Sequence, residues 1–131
     1  MKKKKIGIIL VCVILVILFV FIGIKVISNT LVNDVNSITV SSPNLANISD
    51  GMYVGEYSVT PVHVKVEVFV TEHKITDIKI IEHENGLGSK AEKIVNDVIS
   101  EQSLEVDAVS GATVSSKCII KAIENALQSE N

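Results

Sequence analysis

The sequence predicts an α+β domain, a small antiparallel sheet with two helices packed on one face, preceded by a single N-terminal transmembrane helix. Three observations carry that prediction. Residues 6–24 contain no charged side chain. Val62, Val64, Val66, Val68 and Val70 alternate with His63, Lys65, Glu67 and Phe69, the period of a half-buried strand. Two later segments switch to the helical period: Ala91, Ile94, Val95, Val98 and Ile99, then Ile119, Ala122, Ile123, Ala126 and Leu127.

The first element is the apolar run. Lys2 to Lys5 precede it and Lys25 follows it. At about 1.5 Å per residue, Ile6 to Ile24 spans roughly 28 Å as a helix, close to the hydrocarbon thickness of a bilayer. A cleaved secretory signal has a shorter apolar core of about 7–15 residues and a small-residue cleavage site. Lys25-Val26-Ile27-Ser28 offers no such site, and Cys12 lies in mid-run rather than at a lipoprotein position. An uncleaved anchor is expected. The lysine excess before the run puts the N-terminus in the cytoplasm and the rest of the chain outside. The expected organisation is cytoplasmic lysines and anchor at 1–27, an extracytoplasmic linker at 28–49, and a folded domain at 50–131.

In the linker, Ser, Asn and Thr hold twelve of the twenty-two positions from Ser28 to Ser49, a composition that reads as a spacer, while the apolar residues at 31, 32, 35, 38 and 40 permit a short helix or strand. The domain then opens with a strand from Met52 to Val59, closed by Pro61. The valine strand at 62–70 follows, Glu72-His73-Lys74 makes a turn, and Ile75 to Ile81 returns as the second arm of a hairpin. A helix over 91–99 comes after Gly86-Leu87-Gly88. The last helix begins near Ser116.

Charge divides between the two parts. Seven lysines lie beyond Lys25 against all fifteen acids, a net of −8, and there is no arginine. Nucleic-acid binding, which needs lysine and arginine to meet phosphates, is excluded as a function class. Cys118 is the one cysteine outside the anchor, so the domain holds no internal disulfide; among apolar helix residues it reads as a small buried hydrophobe. His63, His73 and His83 lack tight ligand spacing, so solvated histidines are expected and no metal site.

The chemistry sits in Asp107-Ala108-Val109-Ser110-Gly111-Ala112-Thr113-Val114-Ser115-Ser116. Small residues and hydroxyls directly precede a helix, whose first amides are unpaired donors and whose dipole favours an anion. Gly111 and Ala112 leave room for a ligand, and Thr113 offers a hydroxyl for esterification. The bland alternative is a helix cap, a role Ser and Thr often take.

Taken in order, Asp50-Gly51-Met52-Tyr53-Val54-Gly55, the valine strand, Lys74-Ile75-Thr76-Asp77-Ile78, His83, Gly86-Leu87-Gly88 and Asp107 to Thr113 resemble the FMN-binding domain family over about residues 50–128. That family includes the flavin-bearing extracytoplasmic subunits of sodium-translocating NADH:quinone reductases and of Rnf-type electron-transport complexes. The resemblance implies FMN held covalently, its phosphate esterified to Thr113 by a separate magnesium-dependent flavin transferase. It implies Ser110, Gly111 and Ala112 as the turn around the phosphate, with Asp107 fixing that turn or read by the transferase. Ser115 is the second choice for the ester. Glu84, Leu87 and Gly88 are implied as flavin contacts. Many members carry Glu-Thr-Pro-Gly-Leu-Gly where this chain has Glu84-Asn85-Gly86-Leu87-Gly88, so the Thr-Pro pair is missing and the loop is shorter or differently shaped. With no tryptophan, Tyr53, Tyr57, Phe69 or apolar side chains have to cover the flavin.

A threonine hydroxyl with no neighbouring base does not modify itself, which agrees with a dedicated transferase. The expected function is a membrane-anchored electron carrier rather than an enzyme, with membrane redox partners such as quinone-linked dehydrogenases. A non-redox extracytoplasmic module that binds a ligand or a partner is the alternative.

Overall fold

The computed structural model describes residues 11–24, 38–84 and 89–129. The chain divides into two compact units, Met1–Asn33 and Asp34–Asn131. In the first, residues 11–24 form helix α1, apolar on every side, with Phe19 80% and Val16 63% exposed. Among the described residues no helix is long and apolar enough to cross a membrane. The remainder of the expected anchor, residues 1–10 and 25–27, lies outside the described residues.

The second unit is the α+β domain. Strands β1 (Gly51–Val59), β2 (Val62–Thr71) and β3 (Lys74–Glu84) form an antiparallel sheet in the order β1-β2-β3. Val62, Val64, Val66, Val68 and Val70 are all buried, as their alternation requires, while the residues between them stay partly exposed. Burying each valine stabilises the fold by about 1.5–2 kcal/mol, so this one strand supplies much of the core. Glu72 and His73 both take positive φ, 51° and 59°, at the tight turn joining β2 to β3. β3 runs three residues past the expected Ile81, because Glu82, His83 and Glu84 continue the ladder opposite Lys65, Val64 and His63.

The helical layer is a 3-10 turn η2 (Ser89–Lys93) leading into α2 (Ile94–Glu101), and the longer α3 (Thr113–Gln128). Ala91, Ile94 and Val98 are fully buried, and so are Cys118, Ile119, Ala122, Ile123 and Ala126, confirming the two apolar stripes. α3 lies so close to β1 that a Cβ on Gly55 would overlap the Ala122 carbonyl oxygen and the Ala126 amide nitrogen, and would stand 2.8 Å from Ala126 Cα. Only glycine permits that approach. α3 begins at Thr113, one turn ahead of the expected Ser116, since Ser116 N–H already donates to Ala112 C=O at 2.9 Å.

The end of the expected spacer packs on the domain. Val40, Leu45 and a short 3-10 turn η1 (Leu45–Asn47) lie against the core, and Ile48 is 6% exposed. Polar composition hid this, because the docking side chains are sparse and the rest of the segment faces water.

Candidate functional site

The site starts from a four-residue turn. Ala112 N–H donates to Val109 C=O at 2.9 Å, and between them Gly111 takes φ +78°. A positive φ at the third residue is the signature of a type II turn and explains the glycine. Nothing lies within 4 Å of the position a Gly111 Cβ would occupy, so the space above the turn is open. Ser116 Oγ accepts from Val109 N–H at 3.0 Å and ties the turn to the first turn of α3. Ser116 therefore has a structural task, and it is fully buried.

Thr113 is the first residue of α3 and is exposed. The residue ahead of it, Ala112, has no side chain able to cap, and α3 has no side-chain cap hydrogen bond. The helix-cap reading of these hydroxyls thus loses its observation: neither Ser110 nor Thr113 caps the helix. The Thr113, Val114 and Ser115 amides precede the first intrahelical bond, and the first turn carries no acidic residue to oppose an anion. Ser115, by contrast, is 2% exposed. A donor row, an adjoining free-standing hydroxyl and open space above a glycine fit a phosphate ester at Thr113.

The sheet register locates this turn within the domain. Cys118 meets the backbone of Val59, whereas Ala122 and Ala126 lie over Gly55, so α3 runs against the direction of β1. Its N-terminus therefore lies at the sheet end formed by Val59, Val62, His83 and Glu84. Glu84, the last residue of β3, is exposed at that end, so the structure brings it and Thr113 to one end from twenty-nine residues apart in sequence. Gly86, Leu87 and Gly88, where two of the expected flavin contacts fall, lie outside the described residues.

Two further residues belong to this end. Tyr57, Val64 and His83 stand opposite one another across the three strands, which puts them on the helix-covered face. Tyr57 is half-buried there and is the aromatic residue nearest the start of α3 in this register. The other two aromatic candidates are committed elsewhere. Tyr53 is 8% exposed and its hydroxyl donates to Ser49 C=O at 2.8 Å, and the Phe69 ring lies under Lys79 Nζ at 4.8 Å from its centroid. His83 is not the solvated histidine expected: its side chain is 3% exposed, and Nδ1 donates to Glu92 Oε1 at 3.0 Å. Strand pairing opposite the buried Val64 turns it inward. His63 does face solvent, with Ser58 Oγ 2.6 Å from Nδ1. Among the described residues no group of His, Cys, Asp and Glu has the arrangement of a metal site. Cys118 is buried and its thiol is pushed up to about 11 by burial, partly offset by the Val59 backbone bond, so it is inert at neutral pH.

Residues 60–128 match the family model of the FMN-binding domain. No curated protein matches the chain.

Proposed function

This chain belongs to the FMN-binding domain family, and from that premise we propose that it is a membrane-anchored, extracytoplasmic electron carrier whose FMN is esterified to Thr113. The observation that supports the attachment is the exposed Thr113 hydroxyl at the head of an uncapped helix, behind an open glycine turn. Ser115, the other candidate, offers its hydroxyl to the protein interior at 2% exposure, where a transferase has no access. The phosphate would lie against the first amides of α3, with Ser110, Gly111 and Ala112 as the turn beside it. Glu84 and the half-buried Tyr57 stand at the same end of the domain, so they are the described residues assigned to the flavin ring. Leu87 and Gly88 complete the proposed contacts.

Bound FMN supplies one- and two-electron chemistry; the protein supplies position and surroundings that set its potential. With no base adjoining Thr113 in the sequence, the esterification is left to a separate enzyme, and the family resemblance implies a magnesium-dependent flavin transferase. A covalent link matters outside the cell, where a dissociating cofactor is lost by diffusion. The anchoring rests on the uncharged run at 6–24 and its lysine asymmetry, and the apolar surface of α1 supports it. Membrane redox proteins, such as quinone-linked dehydrogenases, are the proposed partners.

Co-expression with a flavin transferase tests the reading. Intact mass is expected to rise by one esterified FMN, with in-gel fluorescence that survives denaturation. Thr113→Ala abolishes both, and Ser115→Ala retains them. An unmodified, colourless product would return the domain to a non-redox binding module.

A further inference from the structure

We propose that residues 39–48 are a clamp, latched by the buried carboxylate of Glu124, which moves the tether's exit from Gly51, at the sheet end opposite Thr113, to Thr39 beside Lys121, midway along α3. The inference rests on the anchored-carrier reading for its use, though its structural content stands apart from the flavin. Glu124 is 3% exposed near the C-terminus of α3, an improbable place for a carboxylate unless it is paired. Its Oε1 accepts from Ser41 Oγ at 2.9 Å, from Ser41 N–H at 3.3 Å and from Gln128 Nε2 at 3.0 Å, and its Oε2 accepts from Lys121 Nζ at 2.7 Å. Lys121 Nζ also donates to Thr39 C=O at 3.1 Å. A second set of bonds holds the segment from the other side. Ser42 Oγ accepts from Leu104 N–H at 2.9 Å, His73 Nδ1 donates to Ile48 C=O at 3.0 Å, and Tyr53 hydroxyl donates to Ser49 C=O at 2.8 Å.

These partners run from the end of the domain at Gly51 to its middle, because Glu124 lies between Ala122 and Ala126, which pack over Gly55 at the centre of β1. His73 is in the β2–β3 turn, Leu104 follows α2, and Glu124 lies eleven residues beyond Thr113 along α3. The proposed flavin end is formed by Val59, His83 and Thr113. Docking also shortens the tether. From Ile24 the chain can extend at most about 50 Å to Thr39, against about 95 Å to Gly51 if the segment were undocked, at roughly 3.5 Å per residue. The clamp thus roughly halves the reach of the carrier. Effective concentration at a partner falls steeply with tether length, so halving the reach raises the rate of encounter with nearby partners.

Amide hydrogen exchange on the full chain, unmodified by flavin, tests the clamp independently of the cofactor reading. The Ser41 and Leu104 amides are expected to be protected, and Glu124→Gln to speed Ser41 exchange at least tenfold while Val66 and Val68 in β2 stay unchanged. Ser42→Ala, which leaves the carboxylate intact, is expected to speed Leu104 exchange by a similar factor with β2 again unchanged; it decides the matter if Glu124→Gln loosens the whole core. Unprotected Ser41 and Leu104 amides in the parent chain overturn the proposal, as does protection that neither substitution alters.

Discussion

Two glycines and one glutamine show how single residues divide the work of holding the fold from that of building the site. Gly55 and Gly111 are both required, for unlike reasons. An added Cβ at Gly55 collides with backbone atoms of α3, which cannot rotate away as a side chain would. Gly55→Ala is therefore expected to cost about 3 kcal/mol or more, read by urea unfolding, because the whole helix must lift from β1. At Gly111 the space is open and only the φ of +78° resists a side chain. Gly111→Ala should cost about 1–2 kcal/mol and leave the sheet and core intact. Equal losses at both positions would refute this division. Gln102 plays a part no pattern announces. Its Oε1 accepts from Ile75 N–H and its Nε2 donates to Ile75 C=O, both at 2.8 Å, so one side-chain amide stands in for a neighbouring strand at the β3 edge. The same Nε2 lies 2.6 Å from Ile99 C=O. Because Ile75 is 2% exposed, water cannot replace these bonds. Gln102→Ala is expected to destabilise by about 1–3 kcal/mol.

Element by element, periodic structure was legible and contact-dependent structure was not. The valine alternation fixed β2, and its burial follows residue for residue. The strand ends moved because pairing, not the strand's own composition, decides where a ladder stops: His83 belongs to β3 because Val64 faces it. For α3 the apolar stripe was read correctly but its width was not, since Ile120 and Glu124 are also buried. Glu124 is buried beneath a segment that the sequence presents as a polar spacer, and nothing in the helix's own pattern sets it apart from Lys117 and Lys121. The uncapped start of α3 is a weakness in the unmodified protein. A capping hydroxyl at Ncap typically contributes about 0.5–2 kcal/mol. Ala112→Ser is thus expected to raise the melting temperature of the unmodified domain while slowing transfer of flavin to Thr113, because the new hydroxyl competes with the phosphate for the same amides. A substitution that stabilised the domain without affecting modification would count against the role given to those amides.

At the scale of the molecule, the candidate site was legible as a motif but not as a place. Residues 107–113 are contiguous, so their local turn could be read directly; that Glu84 and Tyr57 meet the same end depends on the opposed directions of α3 and β1, which no linear pattern encodes. The Glu124 clamp has its own measurable signature in acid. Burial disfavours the charge on Glu124, yet Lys121 and both donors of Ser41 outweigh it and hold the carboxyl below its ordinary value of 4.5. A carboxyl depressed in the folded state adds stability above its unfolded value, and that stability is lost as pH falls through the folded value. Denaturant unfolding of the parent chain and of Glu124→Gln should therefore differ most at neutral pH, with the parent the more stable. Below about pH 4.5 the two curves should converge as the parent's carboxylate takes up its proton. Other acids titrate in both proteins and cancel in the comparison, so the convergence reports this one carboxylate. A gap that stays constant from pH 7 to pH 3 would show that Glu124 contributes through packing alone, leaving the segment at 39–48 without its latch.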